Sequence, residues 1–336
     1  MSIKKRIKKL SLIILGSIAG IASILFAVNR TADIPKTGND FEIIAHRGVH
    51  QDYEGSAKGL RRSKAYLTEC TATRIFKPTH PYLENTVESI QAAFDYGATI
   101  VEIDIRPTKD NQLVVFHDWM LGCRTNVQGN VIDHTVEDLK QLDIGYGYTH
   151  DGKTYPFRGK GIGKIETLTD VLNRFPDKRF LIDNKNGNNL ETAQLIVDTL
   201  SQFSEERQKQ LYLWCQDKAY EHIKQQLPSV KRLILPRNRH KTFFKSYLLN
   251  LGFSEVPNEY KNQGIGLPLQ YTKFIWGWPN RFLGKIYKAD MKFYLYINTM
   301  EEAKKYSDIP ISGIVTDRIE DVGEYYSHLK FNKKRE

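Results

Sequence analysis

The sequence predicts an α/β fold: a (β/α)8 TIM-type barrel lacking a helix between strands 2 and 3, with one N-terminal transmembrane helix. Three observations carry the barrel. Eight short apolar segments between residues 41 and 329 mostly alternate with segments of helical period, the pattern of a parallel sheet covered by helices. Eight such units in one domain favour a closed barrel over an open sheet. Polar residues also collect where the strands end: His46 and Arg47, Glu102 and Asp104, His117 and Asp118, Asp183 and Lys185, Asn298, Thr316 and Asp317. That is the face on which a barrel carries its chemistry.

The chain opens on an anchor. Residues 10–28 carry no charge and as a helix span about 28 Å, close to the thickness of a bilayer core. Lys4, Lys5, Arg6, Lys8 and Lys9 precede them and a single Arg30 follows. The positive-inside rule then puts residues 1–9 in the cytoplasm and the body outside it, in the periplasm if the cell is bacterial. A cleaved signal peptide is the rival reading. Its apolar region is usually shorter, and Leu25 spoils the small-residue site before Ala27, so a retained single-pass anchor is favoured. Residues 29–40 read as a polar linker, 41–329 as the barrel and 330–336 as a basic tail.

Within the barrel, residues 41–46 form a strand ending in His-Arg-Gly, and a long polar, basic segment covers 49–83. Residues 86–96 have apolar side chains at helical spacing (Val87, Ile90, Phe94) and stop at Gly97. Strands over 99–106 and 113–117 flank the polar turn 107–112. So few residues separate Asp104 from His117 that no helix fits between two parallel strands. Residues 119–164 are Gly-rich and irregular apart from a short helix over 135–142. Helices over 168–175, 191–203, 219–227, 300–306 and 319–329 alternate with strands over 179–183, 210–215, 231–235, 292–297 and 313–316. A long aromatic-rich segment, 237–291, interrupts the alternation.

The net charge of +10 is unevenly spread. The N-terminal cluster and a net three cations in the tail leave only +2 on the body. The basic balance therefore favours anionic lipid near the N-terminus and argues against a nucleic-acid partner. Three cysteines make no disulfide framework. Cys70 and Cys123 fall in loops on the strand-end side; outside the cytoplasm they pair or remain free thiols, and both readings stand. Cys215, in an apolar strand, reads as a small buried residue.

Chemistry concentrates in residues 99–118. Glu102 and Asp104 are two apart on one strand and share a face. Two carboxylates on one buried face repel each other unless a cation holds them. With His117 close by, they point to metal-assisted chemistry on a phosphate or carbonyl. The bland alternative, solvated acids on an edge strand, does not account for two histidines, three acids and two cations at the mouths of four strands.

The run His46-Arg47-Gly48, Glu84-Asn85-Thr86, Glu102-Ile103-Asp104 and His117-Asp118 resembles the glycerophosphodiester phosphodiesterase family. Asp183-Asn184-Lys185 stands where that family usually has Glu-x-Lys, Tyr296-Ile297-Asn298 resembles its Trp-Thr-Val-Asn strand, and residues 313–317 resemble its closing strand. The gap between Arg47 and Glu84 is longer than usual, and the segment 237–291 is enlarged. The resemblance implies a divalent cation, Ca2+ or Mg2+, and hydrolysis of a glycerophosphodiester to an alcohol and glycerol phosphate. Glu102, Asp104 and Asp183 would hold the metal, with Glu84 a further ligand or an acid behind them. Arg47 and Lys185 would hold the phosphate oxygens. His46 and His117 would act as acid and base, in an order the sequence leaves open. Asn85 and Asp118 would orient these groups. The family also allows attack by the substrate's own neighbouring hydroxyl, through a cyclic phosphate.

Three other readings remain at this stage. One is a lysophospholipase D-like or phospholipid-headgroup activity at the membrane. A second is a binding or adhesion protein on an inactive barrel, and the third is nucleic-acid cleavage, which the near-neutral body disfavours. Residues 237–288 interleave Trp276, Trp278, Phe282 and other aromatics with Lys and Arg, the composition of a surface lying on lipid. His50, His80, His134 and His150 read as ordinary loop histidines.

Overall fold

The computed structural model describes residues 3–31, 41–53 and 70–333. Residues 32–40 of the expected linker and 334–336 of the expected tail lie outside the described residues. Nine strands form one sheet: β1 (Glu42–Ala45), β2 (Ile100–Pro107), β3 (Leu113–Val115), β4 (Phe180–Asn184), β5 (Leu211–Trp214), β6 (Lys231–Arg232), β7 (Gly264–Pro268), β8 (Lys292–Tyr296) and β9 (Gly313–Thr316). Eight of them run parallel in the order β6-β5-β4-β2-β1-β9-β8-β7. A parallel bridge between Ile234 and Gly264 joins the two ends, with Gly264 N donating to Leu233 O at 2.6 Å and Leu235 N to Gly264 O at 2.9 Å. The sheet thus closes into the expected barrel.

One of its eight strands is not the one the sequence suggested. The segment 113–117 was expected as a parallel barrel strand. It pairs antiparallel with β2, Arg106 opposite Val114, and lies off the barrel path, while β2 pairs directly with β4. A short connection suffices for a hairpin but not for a parallel crossover. The missing barrel strand is β7, inside the aromatic segment. Its inward positions are Gly264 and Gly266, where a Cβ would meet the rings of Tyr294 at 2.4 Å and Tyr296 at 3.0 Å. Two β8 tyrosines occupy the space that inward β7 side chains would fill, so β7 shows only Ile265 of the β-branched signal of a strand.

Alternation along the strands sets the layers of the barrel interior. From base to mouth, inward positions read Glu42, Ile44 and His46 on β1 and just beyond, Ile100, Glu102 and Asp104 on β2, and Leu181 and Asp183 on β4. The middle layer is dry: Ile44, Ile100, Leu181, Leu233, Ile234, Tyr294 and Val315 pack together with Tyr212, Trp214 and Tyr296. The base is closed by the Glu42 carboxylate, which accepts from Arg179, Lys292 (2.9 Å) and the Tyr294 hydroxyl. Outward-facing residues such as Ile43, Ile103 and Ile182 pack under the surrounding helices in a larger core.

The helix Ile3–Thr31 contains a 24-residue segment, Lys5–Val28, long and apolar enough to cross a membrane. Cys70 and Cys123 form a disulfide, with Cα atoms 5.5 Å apart, so the paired reading holds; Cys215 is free and buried.

Candidate active site

The mouth of the barrel is built from strand ends and two tight turns. After β1 the chain turns at Arg47 and Gly48, both at positive φ (60° and 74°). Gly48 is required there, since a Cβ would lie 2.3 Å from Ser89 Oγ. The non-glycine Arg47 is held in this costly conformation by hydrogen bonds at both ends of its peptide. Its N–H donates to Glu102 Oε2 at 2.9 Å, and its carbonyl accepts from Asn85 N at 3.0 Å and Ser89 Oγ at 3.2 Å. Asn85, also at positive φ, clamps β2 from the side: its Nδ2 donates to Asp104 Oδ2 (2.8 Å) and its Oδ1 accepts from Asp104 N (3.1 Å). Thr86 then caps the helix Val87–Asp95 by accepting from Ser89 N.

Glu102, Asp104 and Asp183 converge because β2 and β4 are in register at Asp104 and Asp183. Their ligating oxygens lie within 4.8 Å of one another, and all three residues are buried. Burial, with Asp104 beside each of them, pushes the carboxyls of Glu102 and Asp183 up. Lys185 Nζ bridges Asp104 Oδ1 (2.8 Å) and Asp183 Oδ2. Glu102 Oε1 is buried with no hydrogen-bond partner among the described residues. Three clustered carboxylates, with Lys185 on two of them, Arg47 3.5 Å from Asp104 and one unmatched oxygen, form a donor set suited to a hard divalent cation. Glu84 is not in that set. It sits between two guanidiniums, Arg47 Nη1 on Oε1 and Arg124 Nη1 on Oε2, both at 3.1 Å. Burial raises its carboxyl, but Arg124 and Arg47 outweigh that and hold it low.

The two expected catalytic histidines have the same architecture. His46 Nδ1 lies 2.6 Å from Asp317 Oδ1, and His117 Nδ1 lies 2.6 Å from Asp118 Oδ1. A carboxylate on Nδ1 keeps the proton there and leaves Nε2 as the nitrogen that can take one up. Burial, reinforced by Arg47, lowers both rings, His117 to about 4. Both are therefore neutral at pH 7. His117 reaches the mouth because the β2–β3 hairpin turns back over Asp104: Phe116 N donates to Asp104 O at 2.9 Å. Arg106 fastens the returning chain by donating to His117 O (2.9 Å from Nε) and stacking on Trp119 at 4.1 Å.

Every expected site residue is thus at the mouth, with two adjustments. Arg47 and Lys185, expected on phosphate, rest on Glu84, Asp104 and Asp183. Asp118 faces His117 Nδ1, as an orienting residue would, and it also accepts from Arg124 Nε at 2.8 Å. Three participants were missed. His50, read as a surface residue, is buried beside Asp317, with Nε2 at 3.4 Å from Oδ1 and Nδ1 at 2.9 Å from Gln51 O. Asp317 reads in sequence only as a polar strand end; it follows β9 as His46 follows β1, and the pairing of Ala45 with Thr316 is what brings the two together. Arg124 lies in the irregular Gly-rich stretch and has no sequence signal; it ties Asp118 and Glu84 to Thr71 and Tyr148.

Comparison with known proteins agrees with this geometry. Residues 46–321 match the model of the glycerophosphoryl diester phosphodiesterase family. A glycerophosphodiester phosphodiesterase of Bacillus subtilis (strain 168) is 40% identical over 95 residues, 27% of this chain and 31% of the relative. A lysophospholipase D of Homo sapiens is 33% identical over 112 residues, 32% of this chain and 34% of that protein. The chain thus spans about a third of the length of these curated relatives. The barrel of the glycerophosphoryl diester phosphodiesterase domain of a Mycobacterium tuberculosis protein superimposes with a TM-score of 0.57 at 17% identity, covering 88% of this chain and 100% of that domain. The chain belongs to the glycerophosphoryl diester phosphodiesterase family.

Proposed function

We propose that the protein hydrolyses a glycerophosphodiester to an alcohol and glycerol phosphate. One observation carries the reading: two imidazoles, each backed by a carboxylate on Nδ1, stand at the same barrel mouth as a three-carboxylate cluster and two cations. Glu102, Asp104 and Asp183 would hold a divalent cation, Ca2+ or Mg2+, which when bound masks the charge of the diester and polarises it. Arg47 and Lys185 are the side-chain cations a phosphate would meet beside those acids. The neutral Nε2 of one histidine takes the proton of the attacking hydroxyl, from water or from the substrate itself. The other histidine first takes a proton from solvent on its own Nε2, its charge balanced by the carboxylate on Nδ1, and delivers that proton to the departing alkoxide; the base returns its proton to solvent. Asp317 and Asp118 keep each ring in the tautomer this needs. His50 has oxygens facing both nitrogens, and its pKa is raised by Asp317 against the effect of burial. With acceptors on both nitrogens it favours the charged form more than His46 or His117 does, and it stands behind the His46–Asp317 pair.

A second reading is cleavage of a lysophospholipid at the same diester. The apolar span Lys5–Val28 supports it, since it would keep the barrel at a bilayer. On this view the chain is a single-pass membrane protein with a cytoplasmic N-terminus and an extracytoplasmic barrel. The Cys70–Cys123 disulfide supports that placement. A binding protein on an inactive barrel is disfavoured because no member of the acid, base or cation set is missing.

The test is the purified full chain in detergent with glycerophosphocholine and with lysophosphatidylcholine, each with Ca2+, Mg2+ or chelator. Turnover of at least one substrate that chelation abolishes is expected. His46→Ala and His117→Ala should each lower it by about 100-fold or more without changing the melting temperature. Absence of metal-dependent turnover on both substrates would leave the binding-protein reading standing.

A further inference from the structure

The aromatic segment between β6 and β7 and beyond does not present the side chains its composition suggested. Phe282 is fully buried, and Trp276 and Trp278 are half-buried against the core, with Trp278 packed on Phe282 and Phe293. Those residues form structure, not a surface. The exposed apolar residues are others: Leu248, Leu249, Leu251 and Phe253, at the end of the helix Arg237–Leu249 and in the turn after it, and Tyr271 and Phe274 after β7. Leu249 is 73% exposed, Phe253 64% and Phe274 59%.

The two groups lie on segments that touch each other. Tyr247 donates its hydroxyl to Trp276 O at 2.7 Å, and a Cβ on Gly252 would lie 3.1 Å from Trp276 Cβ. The turn 250–254 therefore leans on the segment that follows the carboxyl end of β7, the barrel face on which the acids and histidines stand. Cations border it: Arg281 lies over the Phe253 ring at 4.2 Å, Lys273 lies 5.1 Å from Phe274, and Lys245 is exposed one turn before Leu249. Residues 237–288 hold nine Lys and Arg against two Glu. The patch also adjoins the N-terminal helix. Helix Ile3–Thr31 touches helix Asn280–Lys288, which carries Arg281, and Leu25 is the one residue of the span Lys5–Val28 that is half-buried rather than exposed.

We propose that this patch is a second membrane contact, seated in the headgroup region of an anionic bilayer, with the rim of the candidate site turned toward that surface. Leucine and phenylalanine side chains enter the acyl boundary while lysine and arginine stay with lipid phosphates. A patch of this size rimmed by cations on a soluble face would otherwise be an association liability. The proposal deepens the anchored reading and rests on it for the presence of the bilayer.

The test is hydrogen exchange on the full chain in phosphatidylcholine–phosphatidylglycerol vesicles and in pure phosphatidylcholine vesicles, with Leu249→Asp/Phe253→Asp as the variant. Amides 250–254 should exchange about tenfold more slowly in the anionic vesicles, and this protection should be lost in the variant at unchanged melting temperature. Protection of residues 10–28 with equal exchange at 250–254 in both proteins would overturn the patch and leave the anchor standing. Protection at 250–254 with free exchange at 10–28 would do the reverse. Protection that rises with protein-to-lipid ratio would assign the patch to a second copy of the chain and overturn the proposal.

Discussion

At the scale of residues, each working side chain is defined by what holds its far side. Asp118 shows this best, because it accepts from Arg124 while facing His117 Nδ1. Burial raises its carboxyl, but Arg124 and the His117 hydrogen bond outweigh that and bring it to about 2 from an ordinary 3.8. A depressed carboxyl stabilises the fold fully above its unfolded pKa and ceases to as pH falls through the folded one. We expect Asp118→Asn to cost about 2 kcal/mol at pH 7. The difference in unfolding free energy between the two proteins should shrink from pH 4 to pH 2. A constant difference across that window would show that the carboxylate charge is not what stabilises. His117, lowered to about 4, should keep its neutral ring and its basicity down to that pH. With His117 as the base, the acid limb of kcat/KM in the free enzyme is expected near pH 4, and histidine titration by NMR should put His50 above the other two. A limb at the ordinary imidazole value would mean that water reaches the ring. His46, His117 and the acids were legible as motif; His50 was not. Whether a loop histidine is solvated or lies between a carbonyl and a carboxylate depends on contacts 267 residues apart.

At the scale of elements, regular segments were legible and the exceptions had local causes. The β2–β3 hairpin reads in sequence as two more barrel strands; only the direction of its return differs, and hydrophobic period is blind to direction. β7 was lost because its inward residues are glycine. That loss makes a prediction. Gly264 is where β6 meets β7, and its added Cβ would lie 2.8 Å from Leu233 O as well as against Tyr294. Gly264→Ala should destabilise by about 1–3 kcal/mol, the usual cost of overpacking a closed core. An unchanged melting temperature would mean that the barrel seam opens without cost. The disulfide is the other element-scale device. It closes a loop across 53 residues of sequence, and in the chain-entropy picture such a closure contributes about 4 kcal/mol. Cys70 and Cys123 also flank Thr71 and Arg124, which bond to each other at 2.9 Å. The bridge therefore steadies the arginine that holds Glu84 and Asp118. Cys70→Ser/Cys123→Ser should lower stability by up to that amount and reduce kcat more than it raises KM. Loss of stability with kinetics intact would confine the bridge to a structural role.

At the scale of the whole molecule, charge and redox state make the same demand on topology. The cations of the N-terminal cluster stand on one side of an apolar span and the barrel on the other, and the body beyond it is nearly neutral. A barrel drawn toward nucleic acid would carry its charge on its own surface. Here the charge is at the ends, where on the anchored reading proposed above it would orient the span. The barrel also holds one disulfide and one buried free thiol, Cys215. A reducing cytoplasm would leave all three cysteines as thiols. Topology can thus be read by counting. Protein extracted from cells under acid quench, denatured without reductant and titrated with a thiol reagent should show one reactive thiol per chain and three after reduction. Protease added outside intact cells stripped of their outer layers should remove the barrel and leave a short membrane-embedded N-terminal fragment. Three thiols before reduction, together with a protected barrel, would place the domain in the cytoplasm. The substrate would then have to be sought among diesters of the inner leaflet rather than the outer one.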